Sequence, residues 1–197
     1  MRKLTVDDIV DTRAYERERD DLRRRIIELK KMRRVSLGPI MTMVFENVVT
    51  MRWQVQEMAR AERMLRDEQI AHEVETYNQL IPDAGELSAT LMIELTSERE
   101  LREWLPRLVG VQHHVSVVLP DGTRVAGAPS EEDELRLTRD DTTAAVHFLR
   151  FRFTEAEVEM FASGPVHIVV DHPEYDQVVQ LTPEQHAELL SDLRDVS

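Results

Sequence analysis

Three residues in the C-terminal half, His147, Asp171 and His172, have the types and settings that acid–base or metal chemistry needs. Along Ala145-Val146-His147-Phe148-Leu149-Arg150-Phe151-Arg152-Phe153, a period of two puts His147 on one strand face with Ala145, Leu149, Phe151 and Phe153. Burial on that apolar face favours the neutral imidazole, which can ligate a metal, carry a proton, or serve as a core histidine bonded to a backbone carbonyl. Asp171-His172-Pro173 directly follows the strand-like Val166–Val170. There the two side chains could form a catalytic acid/base pair, or a turn in which Asp171 bonds to the backbone ahead of the proline. His147 and His172 are thus the candidate metal ligands as well as, with Asp171, the candidate catalytic set.

A second constellation lies in residues 45–66, where Met51, Val55, Met58 and Leu65 form an apolar helical stripe with Glu62 inside it. A carboxylate on a buried face needs a partner, and Arg60, Arg63 and Arg66 are near in sequence. Glu57, Arg60, Glu62, Arg63 and Arg150 make up the candidate ligand-binding set, with the arginines suited to an anionic group. If the strands 145–153 and 166–170 are neighbours, Glu62 joins His147, Asp171 and His172 in one pocket. Other histidines offer less. His113 and His114 would face opposite ways on a strand, and His72 with Glu68 and Glu75 has the spacing of a metal clip but reads first as a solvated salt-bridge surface.

Much is excluded. No P-loop, G-x-G-x-x-G, G-x-S-x-G or H-E-x-x-H occurs, and no histidine follows a glutamate by three residues as in di-iron bundles. The absence of cysteine removes disulfides, thiol nucleophiles and cysteine-ligated clusters. No apolar run approaches the roughly 20 residues of a membrane helix, and the acidic turn at Asp7-Asp8 is unlike a signal peptide. A cytoplasmic protein is expected. The net charge of −13 is uneven, +5 over residues 1–66 and −18 over 67–197. The two halves are expected to attract each other, within the chain or across a dimer. Nucleic-acid binding through Arg23–Arg34 ranks behind, against a pI near 5.0.

These residues must be positioned by an α+β scaffold of long N-terminal helices packed with a mostly antiparallel sheet of four to six strands. Residues 1–80 read as mainly helical and 85–197 as α+β. Thr5 and Asp8 mark a helix start, and residues 11–34 a helix closed by Lys30, Lys31, Arg33 and Arg34. A strand at 40–45, a turn at Glu46-Asn47 and a helix from Thr50 to Tyr77, broken near Asp67, follow. Strands are expected at 89–95, 113–119, 123–126, 144–153, 166–170 and 178–181, and an acidic loop at Glu131 to Glu134. Thr96 or Ser97, Thr154 and Thr182 cap helices, the last with Pro183 in its first turn.

Seven strings together resemble one family: Arg34-Val35-Ser36-Leu37-Gly38-Pro39, Phe45-Glu46-Asn47, Gln54-Val55-Gln56-Glu57-Met58, Ala61-Glu62-Arg63, Tyr77-Asn78-Gln79-Leu80-Ile81-Pro82, Ala145-Val146-His147-Phe148-Leu149-Arg150-Phe151 and Val170-Asp171-His172-Pro173. It is the bacterial domain of unknown function 3501, and the likeness runs from about Leu4 to Leu193. The resemblance implies one family unit over 1–197 and no particular activity or cofactor. Its members' rubrerythrin-like and iron–sulfur oxidoreductase gene neighbours imply an accessory or interaction protein of a redox-linked system. A homodimer with a partner of those kinds is the first expectation, and a metal- or small-ligand-dependent enzyme the second.

Overall fold

A computed structural model describes residues 1–129 and 141–195; the acidic loop expected at Glu131 to Glu134 lies outside them. The first helix, α1 (Thr12–Arg33), is capped by the Asp11 carboxylate, which accepts from the Arg13 and Ala14 amides. Ahead of it Thr5 and Asp8 form the expected capping box, but on a single 3-10 turn, Val6–Asp8. Then come β1 (Arg34–Leu37), β2 (Met41–Glu46), α2 (Val48–Ala61), α3 (Asp67–Asn78), β3 (Glu86–Ile93), α4 (Glu98–Arg107), β4 (Val115–Val118), β5 (Arg124–Ala126) and β6 (Ala128–Pro129). The chain closes with β7 (Val146–Arg152), α5 (Glu155–Ala162), β8 (His167–His172), β9 (Tyr175–Gln180) and α6 (Pro183–Arg194).

The class is α+β. The strands divide into two antiparallel sheets, ordered β1-β2-β3-β7-β6 and β5-β4-β8-β9. Strands 145–153 and 166–170, whose adjacency the single-pocket expectation required, therefore belong to different sheets.

Period-two alternation explains the layering. One face of the five-stranded sheet carries Val35, Leu37, Met43, Phe45, Leu87, Leu91, Leu149 and Phe151, all buried in a core shared with Val115, Val117, Ile168 and Val170 of the four-stranded sheet. Phe161 of α5 and Leu189 and Leu193 of α6 complete that core. At Gly38, φ is +75°, and a β-carbon there would come within 2.5 Å of the Tyr175 hydroxyl. That hydroxyl donates to the Leu37 carbonyl, tying the edge strand β1 to β9. Only glycine lets the backbone approach so closely in this conformation.

The other face of the five-stranded sheet carries Thr42, Val44 and Glu46 opposite Met92, Thr90 and Ser88 across β2–β3. On β7 the same row continues as Val146, Phe148 and Arg150. Helices α2 and α3 lie over part of this face. A separate apolar cluster of Leu4, Ile9, Met51, Val55, Val74 and Ile81 holds them together.

Candidate functional site

Between this outer face and the helices lies a cavity of about 270 Å³. Its floor is Val44, Glu46, Thr90, Met92 and Phe148, with Val146 at the exposed rim; Met51 and Gln54 of α2, Tyr77 of α3, Leu80 just after it, and Lys30 of α1 form the walls. The cavity is apolar apart from a few groups, and Glu46 is the most consequential. It ends β2, immediately before Asn47, whose side chain caps α2 by accepting from the Val49 and Thr50 amides. The strand thus delivers a carboxylate to the point where the helix begins. Glu46 is only 6% exposed. Its Oε1 accepts from the Thr90 hydroxyl at 3.0 Å, while Oε2 is buried with no hydrogen-bond partner among the described residues. Burial pushes the hydroxyl of Tyr77, in the same lining, above its ordinary pKa.

The surrounding cations are committed elsewhere. Arg33, fully buried, donates to the Phe45 carbonyl (2.8 Å), the Glu46 carbonyl (3.3 Å) and Glu188 (2.8 Å), and to the Asp192 carboxylate. Arg34 pairs with Glu94. The Lys30 ammonium lies 5.1 Å from the centre of the Trp53 ring, a cation–π distance. A smaller depression of about 160 Å³ adjoins the cavity, shares Leu80 and Phe148 with it, and adds Ser88, Arg150 and Arg152. Here Arg150, a candidate from the sequence, donates to Glu86 and to the Gln79 carbonyl.

The other sequence candidates are dispersed. His147 is buried on β7, and its Nε2 faces the Ala144 carbonyl at 3.0 Å and the Thr143 hydroxyl at 2.9 Å. Because a carbonyl only accepts, Nε2 carries the proton. His172, on the other sheet, places Nε2 3.1 Å from the Val109 carbonyl, and its Nδ1 accepts from the Glu174 amide at 3.2 Å. Both of its ring nitrogens are spent on backbone, so it braces the β8–β9 turn. Asp171 orients a different histidine, His114 (Nδ1 to Oδ1, 3.2 Å), and pairs with Arg124 at 2.7 Å. The expected convergence of His147, Asp171, His172 and Glu62 is not formed. Among the described residues no group of three potential metal-ligating side chains occurs, and His72 with Glu68 and Glu75 makes no such clip.

Glu62 is exposed, contrary to the stripe reading, because α2 stops at Ala61. The Met64 amide bonds back to Ala59 (2.9 Å) and the Arg63 amide to Arg60 (3.3 Å), a Schellman turn with Arg63 at φ 53°. That turn swings Glu62 into solvent, buries Met64 and leaves Leu65 85% exposed. The partnered carboxylate of α2 is Glu57, which accepts two bonds from Arg19 (2.8 Å each) and one from the Tyr15 hydroxyl (2.6 Å). Arg60 reaches Glu16, so both residues hold α1 to α2.

Glu46 was missed as a site residue because Glu46-Asn47 reads as a turn. The available signal was the alternation Thr42, Val44, Glu46 carried one step further, with Asn47 and Thr50 as a capping box that starts the helix earlier. Arg33 is expected only as one of the cations closing the first helix. It is sequestered, which also removes it from the basic run 23–34, where Arg24 pairs with Asp21 and Lys31 with Glu28. The expected attraction between the halves is present within the chain: Lys3 meets Asp83, Arg34 meets Glu94, and Arg33 meets Glu188 and Asp192. Among the described residues no helix is long and apolar enough to cross a membrane.

No curated protein matches the chain. A solved structure is similar to it, described as a novel protein of unknown function from Burkholderia pseudomallei K96243. The two share 36% identity at a TM-score of 0.89, over 98% of this chain and 100% of that one. A family described as protein of unknown function matches residues 3–193, and with that span the chain belongs to this family, DUF3501.

Proposed function

We propose that the protein binds a small organic ligand in the cavity over the outer face of the five-stranded sheet. The observation that carries this is the Glu46 carboxylate, which lines a pocket of about 270 Å³ and has one buried oxygen without a bonding partner. A buried polar atom without a partner costs roughly 1–3 kcal/mol, more when charged. A bound group that completes the bonding recovers that energy. Size is adequate, since a dry apolar cavity of about 150 Å³ already holds benzene. Mostly apolar walls with a few convergent polar groups suit an organic molecule.

The test is a protein-observed NMR fragment screen on wild type and Val146→Trp. Val146 is 38% exposed at the rim, so the larger ring fills the mouth without disturbing the core. Fragments that bind wild type and shift the Thr90 and Met92 amides, but fail to bind the variant, support the reading. Hits unaffected by the variant, or no hits, overturn it.

The wider setting we infer is an accessory, cytoplasmic and homodimeric role in a redox-linked system. The family resemblance supports the redox setting. Exposed Val10, Ile27, Met32 and Val49, on and beside α1 and α2, support a partner surface. Co-purification with an iron–sulfur or rubrerythrin-like protein, lost on Ile27→Glu, is the expected outcome; retention in that variant counts against α1 as the contact.

A further inference from the structure

We propose that the ligand of this cavity is an organic cation, a primary ammonium carried on a short apolar body. The proposal rests on the cavity being a binding site at all. A carboxylate can only accept. One Glu46 oxygen takes the Thr90 hydroxyl and the other has none, so the group it lacks is a donor. The strongest donors to a carboxylate are charged N–H groups, particularly where water is scarce.

Among the described residues no charged N–H group bonds to that oxygen, although Lys30 lines the same pocket. Arg33 touches the Glu46 backbone, not its carboxylate, and its charge is already met by Asp192 and Glu188. Arg34 is held by Glu94, and the Lys30 ammonium at the pocket wall lies 5.1 Å from the Trp53 ring centre. A guest ammonium supplies the donor that this carboxylate lacks. The rest of that guest must be apolar, because Val44, Met51, Leu80, Met92, Val146 and Phe148 form most of the wall. The rings of Phe148 and Tyr77 are also compatible with an ammonium or an aromatic body. An anion would bring like charge to a buried carboxylate and is disfavoured.

Three probes that share a phenylethyl body separate the possibilities: 2-phenylethylammonium, neutral 2-phenylethanol and the slightly larger, anionic 3-phenylpropanoate. Binding to the full chain is measured by calorimetry at about pH 7.5, where the amine is protonated. The expected order is ammonium, then alcohol, then carboxylate. Glu46→Gln should weaken the ammonium by about tenfold or more and leave the alcohol within about threefold. Glu46→Asp, which keeps the charge but withdraws it, should also weaken the ammonium and serves if the glutamine variant misfolds. If alcohol or carboxylate binds as tightly as ammonium, or Glu46→Gln leaves ammonium unchanged, while Val146→Trp still blocks binding, the cation is wrong and the cavity stands. If no probe binds, or Val146→Trp blocks none, both readings fall. Ammonium binding by Lys30→Met alone would assign the Glu46 carboxylate to Lys30 and overturn the proposal.

Discussion

Two carboxylates meet the end of β2 from different elements, and their surroundings differ. Asp192 of α6 and Glu46 are 5% and 6% exposed. Asp192 accepts from Arg33 on one oxygen and from the Asn47 amide group on the other. Burial pushes its pKa up, and the Arg33 and Asn47 contacts oppose that. Glu46, one residue before Asn47, has only the Thr90 hydroxyl. A buried carboxylate whose two oxygens are both engaged fastens α1, β2 and α6 together. One left incomplete instead lines a pocket. What distinguishes a brace from a binding group here is completeness of bonding, not depth.

The largest expected effect comes from breaking the complete member. Arg33→Met leaves Asp192 buried without its cation and frees the Phe45 carbonyl, and should destabilise by about 3–5 kcal/mol. Urea denaturation read by circular dichroism would show a lower midpoint with unchanged slope. The double variant Arg33→Met/Asp192→Leu should recover much of the loss, because paired removal of buried charges is commonly near neutral. No recovery would mean that Arg33 acts mainly through the Phe45 and Glu46 carbonyls.

His147 sharpens the comparison from the opposite face of the same sheet. His147→Leu removes the ring from the Ala144 carbonyl and the Thr143 hydroxyl, so a loss of about 1–3 kcal/mol is expected. Ligand binding in the Glu46 cavity should be unchanged, as His147 points to the other side of β7. Loss of binding without loss of stability would return His147 to the candidate site.

How far the fold was legible follows from which interactions are local. Thr154 and Thr182-Pro183 cap α5 and α6 where their side chains indicate, because a cap depends on residues three apart. The apolar face of β7, with His147 on it, follows from alternation alone. Strand β1 was hidden: Arg33 and Arg34 resemble a cationic helix end, and the alternation of Val35 and Leu37 spans four residues. The split into two sheets was not readable either, since β4 pairs with β8 across some fifty residues. Glu46 depends on three layers meeting, with Thr90 from β3, Tyr77 from α3 and Lys30 from α1. No local pattern encodes that meeting. Glu62 failed for a nearer reason, a Schellman turn closed by Arg63 without the glycine that usually announces one.

Removing the charge from the incomplete carboxylate should act in the other direction. Glu46→Gln retains an acceptor for Thr90 and replaces the unbonded charged oxygen with a neutral group. We expect thermal stability to rise by about 1 kcal/mol while ligand binding is lost, the trade expected where function requires an unsatisfied group. Differential scanning calorimetry without ligand reads the first effect. Equal destabilisation by Glu46→Gln and Arg33→Met would place both carboxylates among the braces and erase the distinction.

The smallest effect tests a partly exposed counterpart, Glu57 on α2. The Arg19 guanidinium, opposed by partial burial and aided by the Tyr15 hydroxyl, holds its carboxyl below the usual value of 4.5. A folded-state pKa below the unfolded one means the contribution is fully present above the unfolded value. It is lost as pH falls through the folded one. Between about pH 6 and pH 3, protection of the α1 amides near Tyr15 and Arg19 against hydrogen exchange should therefore fall more in wild type than in Glu57→Gln. Solvent screening limits the difference to about 0.5–1 kcal/mol, a few-fold in protection factor. If both proteins lose protection in parallel, α1 is held by the apolar contacts of Tyr15 and Ile26 and the ion pair is incidental. Complete bonding would then brace a helix only where the pair is as deeply buried as Arg33 and Asp192.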